Sequence, residues 1–207
     1  MRRLIFRAKS GGTEEKVADA THWHRAESYP EWWIERSKLL LGLLAASDKT
    51  RLVTTFSEYG CGPHKPFLKA LSEANDPRIC HALDLKPWDG GVIEANLDSD
   101  SYNGFPASSC GVLSGVVEYL RDPAAAFEKL AGLHSFLLLS YCYSDLTATG
   151  PKDAALAVRR LSARAARGWR NHYSLHDVVA KTQRFGYVCD ALHWRDQLLL
   201  LLARHGD

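Results

Sequence analysis

The segment TTFSEYGCGPHKP, Thr54 to Pro66, sets Gly60 and Gly62 one residue apart behind a run of strand-forming residues. Two missing side chains allow a sharp strand-to-helix turn and let a ligand approach the backbone closely. The amides of such a turn, with the N-terminus of the next helix, suit an anionic group. A dinucleotide fingerprint would put a third glycine where Lys65 stands, and no G-K-[S/T] follows to complete a P-loop. By itself the turn reads equally well as plain tight-turn chemistry. Asp84 and Asp98, which close ALD and NLD, stand in register with it at predicted strand ends. Asp84 is placed to accept hydrogen bonds from two ribose hydroxyls, and Asp98 to take an amine donor from an adenine edge. Together they turn the reading towards a nucleoside-containing ligand.

His64, Glu118, Tyr119, Tyr141 and His172 fall at predicted strand ends or loops on the same edge. Each could act as a base or a substrate contact, although residues of these types are more often structural.

Seven strands are needed to position these groups. They are predicted in RLVTTFSEY, RICHALDL, GVIEANLD, CGVLSGVVEYL, HSFLLLSYCY, YVCDALHW and QLLLLLARH. Helices are predicted between Ser28 and Ala46, after Lys65, from Asp122-Pro123, across DAALAVRRLSARAAR, and from Ser174 to a stop at Gly186. The second and third strands are joined by a link too short for a crossover helix. Only Arg195-Asp196 separates the last two strands, which implies an antiparallel hairpin. The expected fold is α/β: a doubly wound, mostly parallel seven-stranded sheet, helices on both faces, and a C-terminal antiparallel hairpin. Ligands in such sheets lie beyond the carboxyl ends of the strands, where Glu58, Asp84, Asp98, Glu118 and Tyr141 would converge.

The 207 residues divide into an N-terminal arm and helix (1–49), a possible lid, and one domain over 50–207. A net charge of +2 is too small to argue by itself for nucleic acid as a partner. Cys61, Cys80, Cys110, Cys142 and Cys189 are scattered, which suits reduced thiols in a cytoplasmic protein rather than a disulfide framework or a metal site. No apolar run is long enough for a membrane span. Oligomerisation stays open.

The ordered set EYGCGPH (Glu58–His64), ALD (Ala82–Asp84), NLD (Asn96–Asp98) and VLSGVVEYLRDP (Val112–Pro123) resembles the class I S-adenosylmethionine-dependent methyltransferases. The likeness is nearest to the broad small-molecule type, with a Rossmann-like methyltransferase fold, and runs from about Arg51 to Arg204. It implies S-adenosylmethionine as cofactor, S-adenosylhomocysteine as product and a small-molecule acceptor. It also implies that Glu58, Gly60 and Gly62, with Tyr59 and Cys61, surround the amino-acid portion of the cofactor. Asp84, with Leu85 beside it, would hold the ribose. Leu97 and Asp98 would flank the adenine, and the segment from Ser114 to Tyr119 would lie near the sulfonium.

Three positions depart from the pattern: His64 replaces a common third glycine, Cys110 an aspartate that often opens the fourth strand, and no Gly-Gly precedes the fifth. His64 either crowds the cofactor or lines the active site. These departures motivate the alternative of a catalytically silent binding or assembly module on the same fold. An NAD-linked oxidoreductase is disfavoured by Lys65 and the hairpin. No N/D-P-P-Y/F or Pro-Cys stretch supports amide, base-amine or cytosine C5 methylation.

Two further segments carry signals. Arg160, Arg164 and Arg167 form a helical stripe with Val158, Leu161 and Ala165 opposite, which reads as a solvated face or an anion-holding one. THWHRAESYPEWW (Thr21–Trp33) concentrates aromatic residues ahead of the core, for packing or for a lid over substrate.

Overall fold

The computed structural model describes residues 31–144 and 151–206. The expected N-terminal arm, and the aromatic segment as far as Tyr29, lie outside the described residues. From there the chain enters α1 (Glu31–Ala46), in which Arg36, Leu40 and Leu44 recur at helical spacing and are buried. A 3₁₀ turn (Asp48–Leu52) leads into β1 (Thr55–Tyr59), and α2 (Pro66–Glu73) follows the glycine turn. Next come β2 (Ile79–Asp84), β3 (Val92–Glu94) and β4 (Cys110–Ser114). A 3₁₀ turn (Val117–Tyr119) precedes α3 (Pro123–Leu130) and β5 (Phe136–Tyr141). The chain closes with α4 (Pro151–Ala166), α5 (Leu175–Thr182), β6 (Gly186–Trp194) and β7 (Gln197–Arg204).

These seven strands form one sheet in the order β3-β2-β1-β4-β5-β7-β6. All neighbours are parallel except β5–β7 and β7–β6, so the final hairpin is antiparallel as its two-residue connection requires. The order reverses between β1 and β4, and the crevice at such a switch point is where open α/β sheets take their ligands.

Burial on both faces explains the nearly continuous apolar strands. Leu137, Leu139 and Tyr141 of β5 pack with Leu198, Leu200 and Leu202 of β7 against Phe127 of α3 and Val178 of α5. On the other face Phe136 and Leu138 join Leu199 and Leu201 against Leu40 and Leu44 of α1 and Phe67 of α2. Thus α1 packs on the sheet face itself, and the mouth of the cleft sees its first turns.

Several boundaries differ from the sequence reading. The first strand begins at Thr55 rather than Arg51, because residues 48–52 are held in the 3₁₀ turn capped by Ser47. The third strand stops at Glu94, so Asp98 lies in the loop beyond it. Helix α5 ends at Thr182, and Gly186 opens β6 instead of stopping the helix. The arginine stripe of α4 is also divided. Arg160 and Arg167 are exposed, but Arg164 is drawn inward, where it donates to Ser144 Oγ and sits 4.7 Å from the Trp169 ring centre. Val158 on the supposed inner side is 62% exposed, because the helix meets the domain through Arg164 near its C-terminal end. Asp122 and Ser174 cap their helices as predicted, Ser174 in a full capping box with Asp177.

Candidate active site

Beyond the ends of β1, β2 and β4 lies a cavity of about 290 Å³. Its floor is the glycine turn, where Gly60 and Gly62 have φ of +64° and +56°. This is left-handed backbone that only glycine adopts without cost. A Cβ on Gly60 would come within 2.5 Å of Val116 Cγ2, whereas one on Gly62 would meet no atom within 4 Å and would stand in open cavity. His64 is not among the residues with positive φ; that conformation falls to Lys65, at +46°. The residue in the third-glycine position therefore imposes no backbone strain on the turn. His64 is exposed and forms part of the cavity wall.

Glu58 supports the turn from beneath. Its Oε1 accepts from Phe67 N at 2.8 Å and its Oε2 from Leu68 N at 3.1 Å, which caps the start of α2. The carboxyl is 1% exposed and not part of the wall, and burial pushes its pKa up to about 7 against the pull of the two amides. Tyr59 and Cys61 are also deeply buried, though both reach the wall. The Tyr59 hydroxyl lies 2.8 Å from His134 Nε2, whose Nδ1 is 2.9 Å from Ser108 O. These contacts give a neutral imidazole that donates from Nδ1 and accepts at Nε2.

Asp84 stands at the end of β2, facing the turn. Its Oδ2 accepts from Gly62 N at 2.8 Å and its Oδ1 from Lys86 N at 3.2 Å. Each oxygen keeps a lone pair for a further donor. Leu85, Leu97, Asp98 and Ser114 line the same cavity. Asp98 accepts from Arg121 N at 2.9 Å and lies 3.6 Å from Arg170 Nη1, so two arginines surround it.

The five candidate catalytic residues divide. His64 and Tyr119 are on the wall, Tyr119 accepting from Trp169 Nε1 at 3.1 Å. Glu118, Tyr141 and His172 are not. Glu118 Oε1 accepts from Cys142 N at 2.8 Å and so anchors the exit of β5, while burial raises its pKa. Tyr141 donates to Asn171 Oδ1 at 2.7 Å and accepts from Tyr173 N at 2.8 Å, tying the 171–173 segment to the sheet. His172 stacks on Trp169 with ring centres 6.2 Å apart.

The structure adds wall residues that motif reading missed, notably Arg36, Trp88 and Arg170, and it also places Trp33 and Gly115, from two segments the sequence singled out, on the wall. Arg36 donates from Nε to Ser114 Oγ at 2.8 Å, from Nη2 to Ser114 O at 2.9 Å, and from Nη1 to Gln197 Oε1 at 3.2 Å. A Cβ at Gly115 would lie 2.7 Å from the guanidinium nitrogens, so this cation passes where only glycine leaves room. A clue was present: Arg36 shares the helical spacing of Leu40 and Leu44.

Among the described residues no group of three His, Cys, Asp or Glu side chains gathers that could hold a metal ion. No described helix is long and apolar enough to cross a membrane.

No family model matches the sequence, and no curated protein matches it. Solved structures do. An O-methyltransferase family protein from Burkholderia thailandensis superimposes with a TM-score of 0.62 at 14% identity, over 86% of this chain and 59% of that one. Human N-acetylserotonin methyltransferase in complex with S-adenosylmethionine gives 0.55 at 13% identity, over 91% of this chain and 60% of that one. The mitomycin 7-O-methyltransferase MmcR gives 0.57 at 15% identity, over 83% of this chain and 53% of that one. The chain thus spans little more than half the length of these structures. With its sheet order and closing hairpin, it has the fold of the class I S-adenosylmethionine-dependent methyltransferases.

Proposed function

We propose that this protein is an S-adenosylmethionine-dependent methyltransferase acting on a small-molecule acceptor, in a cytoplasmic setting. The observation that carries the reading is the 2.8 Å bond from Gly62 N to Asp84 Oδ2. It joins the glycine turn and the strand-end acid on one cavity, as a ligand with an anionic end and a ribose would need. The residues present suit that ligand: open space above Gly62, a carboxylate with spare lone pairs, and an apolar wall at Leu97. When bound, the cofactor supplies a methyl group already activated on a sulfonium, open to in-line displacement.

The chain's own contribution is then alignment and exclusion of water more than covalent chemistry. Asp84 holds the ribose, the Gly60–Gly62 turn receives the amino-acid portion, and Leu97 and Asp98 flank the base. His64 and Tyr119, on the wall, are the groups positioned to contact the acceptor; where the acceptor must lose a proton His64 is the group to take it, since burial raises the pKa of the Tyr119 phenol and keeps it protonated. Glu118, Tyr141 and His172 act through the segments they anchor.

Calorimetry with S-adenosylhomocysteine tests the reading directly. Binding is expected in the micromolar range, on the order of −8 kcal/mol, and no binding at millimolar ligand would sink it. Gly62→Ala gives a sharper check. The left-handed backbone costs an alanine about 1 kcal/mol of stability. Its methyl group also enters the cavity, so affinity should fall by about tenfold or more, equivalent to at least about 1.4 kcal/mol. A variant that loses only stability would remove Gly62 from the ligand's surroundings.

A further inference from the structure

Of the segment from Gly168 to Tyr173, only Arg170 reaches the cavity wall. Its neighbours fix it there. Arg170 N and Asn171 N donate to Glu118 O at 2.8 and 3.3 Å, and Asn171 Nδ2 donates to Val117 O and Leu120 O at 2.8 and 3.0 Å. Trp169 Nε1 donates to the Tyr119 hydroxyl at 3.1 Å, and buried Asn171 accepts from the Tyr141 hydroxyl at 2.7 Å. The segment is thereby laid across the 3₁₀ turn that follows β4.

From this position Arg170 meets Asp98, the acid of the loop beyond β3. The loop braces its own backbone: Asp98 N donates to Asn96 Oδ1 at 2.9 Å, and the Tyr102 hydroxyl donates to Leu97 O at 2.6 Å. The carboxylate is held from outside the loop. Its Oδ1 accepts from Arg121 N at 2.9 Å, while its Oδ2 lies 3.6 Å from Arg170 Nη1 and 3.9 Å from Arg121 Nε. At those two distances a guanidinium attracts the oxygen without closing a hydrogen bond on its lone pairs. The Arg121 side chain is 53% exposed, so solvent screens its pull, whereas that of Arg170 is 23% exposed. Arg170 therefore has the stronger hold on Oδ2. An acceptor fixed in advance spares a ligand the cost of ordering it.

Resting on the methyltransferase reading, in which Leu97 and Asp98 flank the base, we infer that Arg170 is a positioning residue for the cofactor. It holds Asp98 Oδ2 where the 6-amino group of adenine donates, so that the site separates a 6-amino purine from a 6-oxo one. With a carbonyl in place of the amino group, two acceptors would face each other and both would lose their partner.

Calorimetry on the full chain with S-adenosylhomocysteine and S-inosylhomocysteine, which differ at this position of the base, tests the assignment. Wild type should prefer the adenosyl compound by about thirtyfold, the range of a hydrogen bond to a charged acceptor. Arg170→Gln should cut the preference to about fivefold and Asp98→Ala to about twofold. In the Asp98→Ala background, Arg170→Gln should change the preference no further, because it acts through the acid that is gone. A merely structural role would lower both affinities together and leave their ratio alone, and that result overturns the inference. So does an equal effect of Arg170→Gln with and without Asp98, or a wild type that does not prefer the adenosyl compound. Where Arg170→Gln does not fold, Arg170→Met, which keeps the packing of the stem, is read in its place. A wild type that takes up neither compound overturns the cofactor reading, and this inference with it. One that binds both equally overturns this inference alone.

Discussion

Asp84→Ala is expected to bind S-adenosylhomocysteine about thirty- to a hundredfold more weakly than wild type, a loss of about 2–3 kcal/mol. Two effects combine. A hydrogen bond to a charged acceptor contributes about 1.5–3 kcal/mol, and an aspartate at this strand end can accept from both ribose hydroxyls. The same carboxylate holds Gly62 N at 2.8 Å, so its removal also frees the turn that faces the rest of the ligand. Asp84→Asn keeps one acceptor oxygen but loses the charge, and should fall between the two. Titration calorimetry reads the affinities, and thermal melting of each free protein shows whether the fold is intact. An unchanged affinity in a folded Asp84→Ala protein would contradict the ribose assignment.

The second large effect is on stability. Glu58 and His134 are both buried, and burial moves their pKa values in opposite directions: Glu58 up from 4.5 to about 7, His134 down from 6.5 to about 4. Between pH 4.5 and 7 the folded state holds the Glu58 proton more tightly than the unfolded chain does. This contribution is fully present at low pH and is lost as pH rises through the folded pKa. Between pH 4 and 6.5 the unfolded chain binds the His134 proton more tightly, so that contribution grows as pH rises. Each shift corresponds to about 3 kcal/mol at about 1.4 kcal/mol per pH unit. Across the overlap the two slopes offset one another, and wild type hides both.

Glu58→Gln removes the Glu58 slope and leaves that of His134 with the other titrating groups. Relative to wild type, the variant should gain about 3 kcal/mol of stability between pH 4.5 and 7, whatever fixed cost the amide incurs against the Phe67 and Leu68 amides. Urea denaturation at several pH values across that window measures the difference, in which the remaining titrating groups cancel. Parallel profiles for the two proteins would show that Glu58 is ionised in the fold throughout. The effect matters for function because Glu58 caps α2 directly behind the glycine turn, so its protonation state sets how firmly that turn is held.

Much of the architecture could be read from residue order. Alternating strand and helix patterns gave the parallel sheet, the two-residue Arg195-Asp196 link gave the hairpin, and Asp122-Pro123 and Ser174 marked helix starts. These are local signals, carried by backbone preferences and turn length. Boundaries were less legible where a local competitor intervened. Ser47 caps a 3₁₀ turn that shortens β1, and β3 ends at Glu94 although its apolar pattern continues to Leu97. The arginine stripe of α4 looked uniform because helical periodicity places residues on faces without saying what each face meets. Arg164 meets Trp169 and Ser144, while Arg160 and Arg167 meet solvent.

For the site the division is sharper. By itself the sequence determined the glycine turn, the strand-end acid at Asp84 and the presence of Leu97 and Asp98 nearby, because each belongs to a short segment whose backbone course follows from its own residues. Only the tertiary structure decided which of the polar candidates share a cavity. Glu118 and Tyr141 were expected on the same edge, but each turns to neighbouring backbone: Glu118 to the Cys142 amide, Tyr141 to the 171–173 segment. Arg36 was unremarked because the contacts that place it on the wall, to Ser114 and Gln197, lie 78 and 161 residues away along the chain. A side chain's direction depends on what packs against it. That information is spread over α1, β4 and β7, and it appears only when the three are brought together.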